Sequence, residues 1–188
     1  MSEAGGTMDV VDELMTDHRE ALALLEQIPH SSDPRERRDL ADTVIAEVVR
    51  HAVAEEMYVY PAMRDRLEHG GETVEEDVRE HTQLEEIMKQ LEAVEPTEPR
   101  FDTLIADMTS ALRHHATAEE SEQFPKLRER VPSQTLIELR EKVDAAKRIA
   151  PTRPHPAAPN AELFHKLVGP GVGMVDRLRD RLTQRQTG

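Results

Sequence analysis

The stretch His51-Ala-Val-Ala-Glu55-Glu56 recurs as His115-Ala-Thr-Ala-Glu119-Glu120. Each copy runs on to an aromatic–proline pair, Tyr60-Pro61 and Phe124-Pro125, and then to an Arg-acid-Arg trio, Arg64-Asp65-Arg66 and Arg128-Glu129-Arg130. A lone His-x-x-x-Glu decorates many solvated helices, whereas two copies in register are a duplicated device. The duplication extends upstream: His18 precedes His51 by 33 residues, His81 precedes His115 by 34, and both follow an acid, Asp17 and Glu80. On helices, His and Glu four residues apart share a face. Four imidazoles and two carboxylates drawn equally from two half-repeats form a mixed nitrogen–oxygen ligand set. That set suits non-haem iron, with manganese or zinc less favoured.

The ordinary alternative differs by residue. A single histidine on an apolar stripe, as His18 or His81 would be alone, is commonly a hydrogen-bonded core residue. Glu55 and Glu119 resist that reading. An unpaired carboxylate in an apolar interior costs several kcal/mol or more, and no Lys or Arg sits on the inner stripes near them to pair with it. One or two cations would satisfy the set. Two His per metal, with both Glu bridging, leaves coordination positions open to a small diatomic or to peroxide. Tyr58, three residues after Glu55, leans toward the same face and is the candidate catalytic residue, as a phenolate ligand or a hydrogen-bond donor to a bound oxygen species. Asp77 and Glu85 are, with Tyr58, candidates for an added ligand. Glu56 and Glu120 fall off the inner face by the same angular count, as does His114.

These residues need helices to position them, and the apolar periodicity supplies four. The first stripe is Val10 or Val11, Leu14, Met15, His18, Leu22, Leu25, Ile28, closed by Pro29. The second is Leu40, Val44, Val48, His51, Glu55, Val59, Ala62 or Met63, Leu67, with a bend or break expected at Pro61. The third is Val74, Val78, His81, Leu84, Met88, Leu91. The fourth is Phe101, Leu104 or Ile105, Met108, Leu112, His115, Glu119, Phe124, Leu127. The fold expected is all-α, an up-down-up-down four-helix bundle over residues 1–130. An additional helix follows over 131–149, then a Pro/Gly-rich tail over 150–188 with a short amphipathic piece, Met174 to Leu182.

Composition narrows the function classes. A net charge of -14 argues against nucleic acid and against an anionic membrane surface as partners. No apolar run reaches the ~20 residues of a membrane helix, and the first residues carry no export signal, so a cytoplasmic location is expected. The absence of cysteine excludes thiolate catalysis and Cys-ligated metal sites. Aromatic residues make up 3% of the chain, so aliphatic side chains must fill the core. His30, His69, His155 and His165 lie in turns or the tail and are read as solvated; Met57, Met63, Met88 and Met108 are read as packing.

The order His18, His51-x-x-x-Glu55, His81, His115-x-x-x-Glu119 resembles the hemerythrin-like, or HHE cation-binding, domain over residues from about 8 to 130. The resemblance implies a four-helix bundle, of which myohemerythrin is a known example. It further implies that His18, His51, Glu55, His81, His115 and Glu119 hold two non-haem iron ions, oxo- or hydroxo-bridged. Two departures stand out. Oxygen carriers of this family have a fifth histidine where this chain has Asp77, and His-x-x-x-x-Asp where it has His115-x-x-x-Glu119. A more carboxylate-rich site favours redox turnover over reversible O₂ carriage. The expected function is therefore catalase- or peroxidase-like handling of H₂O₂, O₂ or NO. A non-enzymatic sensor or store for iron, O₂ or NO is one rival, and a structural bundle with an incidental metal is another. Any protein partner of the tail is left open.

Overall fold

The computed structural model describes residues 8–150, and every regular element among them is helical. Helix α1 (Val10–Gln27) ends in a 3-10 turn at Ile28–His30. Helix α2 (Pro34–Ala54) passes through a π turn (Glu55–Val59) into α3 (Tyr60–Arg66). Helix α4 (Gly70–Glu92) is followed by α5 (Pro99–Ala118), which passes through a second π turn (Glu119–Gln123) into α6 (Phe124–Arg130). Helix α7 (Ser133–Ile149) closes the described chain. The piece expected at Met174 to Leu182, with the tail around it, lies outside the described residues.

Local chemistry sets the helix ends. Asp9 caps α1 in a reciprocal box: its Oδ1 accepts from the Val11 and Asp12 amides at 2.9 and 3.1 Å, and Asp12 accepts from the Asp9 amide at 3.0 Å. Asp33 caps α2 through the Arg35 amide at 2.9 Å, with Pro34 in the first turn, where a missing N–H costs nothing. The turn into α4 needs His69 in the left-handed region, at φ 58°, and a glycine after it. A Cβ on Gly70 would lie 2.2 Å from the Met63 carbonyl oxygen, so only glycine lets the backbones approach this closely.

Two apolar clusters fill the interior. One holds Leu25 and Ile28 of α1, Val44 and Val48 of α2, Leu84 and Met88 of α4, and Phe101 and Met108 of α5. The other holds Val10 and Leu14 of α1, Val59, Tyr60 and Met63 around α3, Val74 of α4, Phe124 and Leu127 of α6, and the inner face of α7. Chain direction alternates between them: α1 and α4 run from the second cluster toward the first, α2 and α5 the opposite way. With α1 packed on α2 and α5, and α4 on α5 and α2, this is consistent with the expected up-down-up-down bundle. Helix α7 lies against α1 and α2 and buries Leu136, Leu139, Val143 and Ala146. Each of the four long stripes carries its His or His-x-x-x-Glu at the level between the clusters.

Candidate metal centre

The chain neither breaks nor bends at random before Pro61; it widens into a π turn. The Tyr60 amide donates to the Glu55 carbonyl, and the Phe124 amide to the Glu119 carbonyl, each an i to i+5 bond. Proline clashes with the carbonyl four residues back in a regular α-helix. The extra residue per turn relieves that clash and lets each helix continue. Single π turns of this kind recur at functional sites.

The four histidines are buried and aim Nε2 at one another. His18 Nε2 lies 3.0 Å from His51 Nε2, and His81 Nε2 lies 3.3 Å from His115 Nε2. The glutamates tie the halves together. Glu55 Oε2 is 3.2 Å from His51 Nε2 and 3.4 Å from His81 Nε2; Glu119 Oε2 is 3.5 Å from His115 Nε2 and 3.3 Å from His18 Nε2. One ligand atom each from His18, His51, Glu55, His115 and Glu119 falls within 4.8 Å of all the others, with His81 alongside through its contacts to His115 and Glu55. All six residues singled out by spacing thus meet at one level of the molecule.

Each Nδ1 is held from behind by a carboxylate. His51 donates to Asp17 at 3.0 Å, His81 to Glu56 at 3.0 Å, His115 to Glu80 at 2.9 Å and His18 to Glu120 at 2.9 Å. An ionised carboxylate only accepts, so each neutral ring carries its proton on Nδ1 and turns a lone pair inward on Nε2. Four inward lone pairs then face two carboxylates that are 0% exposed. Both oxygens of Glu55, and Oε2 of Glu119, have no hydrogen-bond donor. A centre so rich in donors to a cation and so poor in protons to share is unstable without positive charge. Carboxylate–histidine–metal relays have this construction, and the residues present fit a resident metal. Without one, protons take its place. Burial pushes His51 down, but Glu55 and Asp17 more than offset this and raise it to about 10. Burial likewise opposes, and neighbouring glutamates overcome, at His81 and His115, both of which end above the ordinary imidazole value. Glu55, despite its burial, is held well below the usual carboxylate range by His51, His115 and His81.

Two expectations are corrected. Glu56 does not point away: it is 0% exposed and holds His81. Glu120, too, is half-buried on His18 rather than free in solvent. The doubled Glu-Glu in both repeats was the visible signal. The tyrosine of the site is Tyr60, not Tyr58. Tyr58 is half-buried against the second apolar cluster. The Tyr60 hydroxyl lies 3.1 Å from His81 Nε2 and donates to Glu119 Oε1 at 3.4 Å. Counting at constant α-helical pitch selects i+3 from Glu55; the π turn moves the inward position to i+5. Burial, with the charges of Glu55 and Glu119, raises the Tyr60 phenol well above its ordinary value, so it is neutral and able to donate. The equivalent residue in the other repeat is Phe124, stacked on His18 at 6.1 Å as Tyr60 is stacked on His81 at 5.5 Å.

The remaining candidates separate. Asp77 is buried near His115, accepts from Gln123 Nε2 at 2.9 Å, and leaves Oδ2 without a donor. Burial and the Glu119 charge push its carboxyl up to about 7. Glu85 is buried but lies 3.2 Å from Lys89 Nζ. His30, His69 and His114 are exposed, and Met63, Met88 and Met108 pack in the apolar clusters. His155 and His165 lie outside the described residues.

A helical scaffold that buries four imidazoles and two acids at one level, with a second carboxylate behind every ring, defines a protein built to bind cations. The family model described as the hemerythrin HHE cation binding domain matches residues 9–127, and the chain belongs to that family. It is 26% identical over 174 residues to an uncharacterised hemerythrin-like protein of Schizosaccharomyces pombe, covering 92% of this chain and 86% of that one. It is also 24% identical over 140 residues to a DNA nickase of Nostoc, covering 74% of this chain but 39% of the nickase. No solved structure matches it.

Proposed function

We propose that the protein is a four-helix-bundle, non-haem di-iron protein that acts on small oxidants, with catalase- or peroxidase-like turnover of H₂O₂ as its reaction class. The observation that carries this reading is the pair of fully buried glutamates whose donor-less oxygens sit among the Nε2 atoms of four buried histidines. In this reading His18 and His51 would hold one ion and His81 and His115 the other, with Glu55 and Glu119 supplying carboxylate oxygens to both halves. The Nε2–Nε2 proximity within each pair and the contacts of each Glu to both halves support that division. Two iron ions, when bound, supply a pair of redox centres able to exchange two electrons with a small oxidant.

The chain's own residues do the rest. Asp17, Glu56, Glu80 and Glu120 fix the tautomer and plane of each imidazole. The two apolar clusters keep bulk water from the level of the site. Tyr60, in the role first assigned to Tyr58, holds a proton within reach of one side of the centre, while Phe124 offers none on the other. Small oxidants rather than nucleic acid are the proposed partners, in keeping with a net charge of -14 and with the short span of the nickase that the chain matches. No helix among the described residues is long and apolar enough to cross a membrane; a cytoplasmic location is part of the proposal.

Elemental analysis and an optical spectrum of protein produced with iron supplied, followed by oxygen evolution from added H₂O₂, test this. About two irons per chain, with turnover abolished in Glu55→Ala and Glu119→Ala, is the expected result. A folded chain without metal would overturn the metal reading. Iron, with a spectral response to O₂ or NO but no turnover, would replace the enzyme by a sensor or store.

A further inference from the structure

The two halves of the centre are not backed alike. Asp17 accepts the His51 Nδ1 proton on Oδ2, and the ammonium of Lys147 lies 2.7 and 2.8 Å from its two oxygens. Glu80 plays the same part for His115, but its other contact is His114 Nε2 at 3.3 Å, on a side chain that is 78% exposed. One backing carboxylate therefore shares its charge with a half-buried lysine, and the other, buried to the same degree, has only an exposed histidine beside it. Lys147 belongs to α7, after the residues that the family model matches. Glu13 holds it in place from α1, 2.8 Å away.

We propose that Lys147 is a positioning residue that acts through Asp17 on His51 and makes the His18–His51 side of the centre the more easily reduced. A carboxylate accepting Nδ1–H makes the imidazole a stronger electron donor to a metal. An ammonium competing for the same carboxylate draws charge away from that hydrogen bond, so His51 donates less than His115. An ion beside a weaker donor takes an electron more readily. The inference rests on the proposed iron centre, and it assigns the two sides of that centre different potentials.

Potentiometric titration of the iron-loaded full chain, followed optically, tests it. Lys147→Met is expected to lower the potential of the first one-electron step by about tenfold in its equilibrium, ~59 mV. Lys147→Arg keeps the charge and is expected to stay near the parent. Glu13→Gln frees the ammonium for Asp17 and is expected to shift the step the opposite way from Lys147→Met. Both neutral variants remove an ion pair that docks α7, so a purely structural role would move them together. Unchanged potentials, or shifts of the same sign in Lys147→Met and Glu13→Gln, would overturn the proposal while leaving the iron reading intact. A parent chain that binds no iron would overturn both.

Discussion

Tyr60 and Phe124 occupy equivalent places, one residue past a π turn, and differ by a hydroxyl that reaches His81 and Glu119. Tyr60→Phe removes that hydroxyl and leaves an aromatic ring at both places. Fold and iron content are expected to persist, while peroxide turnover falls about tenfold or more, ~1.4 kcal/mol in the barrier. Tyr58→Phe, in the apolar cluster, is expected to leave turnover unchanged; steady-state oxygen evolution on the two variants checks this. Glu56 gives a second prediction. Glu56→Gln keeps the shape of the side chain but removes the charge behind His81, so metal affinity should fall about 10- to 100-fold, as loss of an outer partner does elsewhere. Competition with a chromophoric chelator measures it.

Elements place those residues, and their ends are where single changes act. Asp9 caps α1 and also accepts from Arg128 of α6 at 2.8 and 2.9 Å, fastening two elements at one point. Asp9→Ala should cost about 0.5–2 kcal/mol at neutral pH, read from urea unfolding. Burial raises the Asp9 carboxyl, but Arg128 and the capped amides outweigh it and leave it below its usual value of 3.8. A depressed carboxyl contributes its stability above the unfolded value and loses it as pH falls through the folded one. The gap between parent and variant should therefore be full above about pH 4 and shrink below it. An equal gap at pH 3 would count against the assignment.

At the scale of the whole molecule, the centre is a strap as well as a site. Its candidate ligands come from α1, α2, α4, α5 and the π turns, so an ion held by them would bind only the assembled helices. Stabilisation by a ligand present at a hundred times its dissociation constant is ~2.7 kcal/mol. For a chain of this size that is of order 5–10 °C in melting temperature. Chelation should remove that increment, and calorimetry with and without iron measures it. Superimposable melting curves would mean that no ion is held between the halves.

Much of this was legible in residue types and their spacing. Aliphatic stripes at the helical period and His-x-x-x-Glu repeated in register sufficed for the helices and for the six residues that meet. Those are local properties: an α-helix of constant pitch converts sequence separation into angle. What only the tertiary structure decided begins where pitch changes or helices meet. One extra residue in the turn before Pro61 carried Tyr60 inward and left Tyr58 outside. Glu56 and Glu120, set aside by the angular count, each reach a histidine on a neighbouring helix. Lys147 meets Asp17 across 130 residues of sequence because α7 packs on α1. No periodicity encodes such a contact, since its energy depends on which surfaces lie side by side once the helices have assembled.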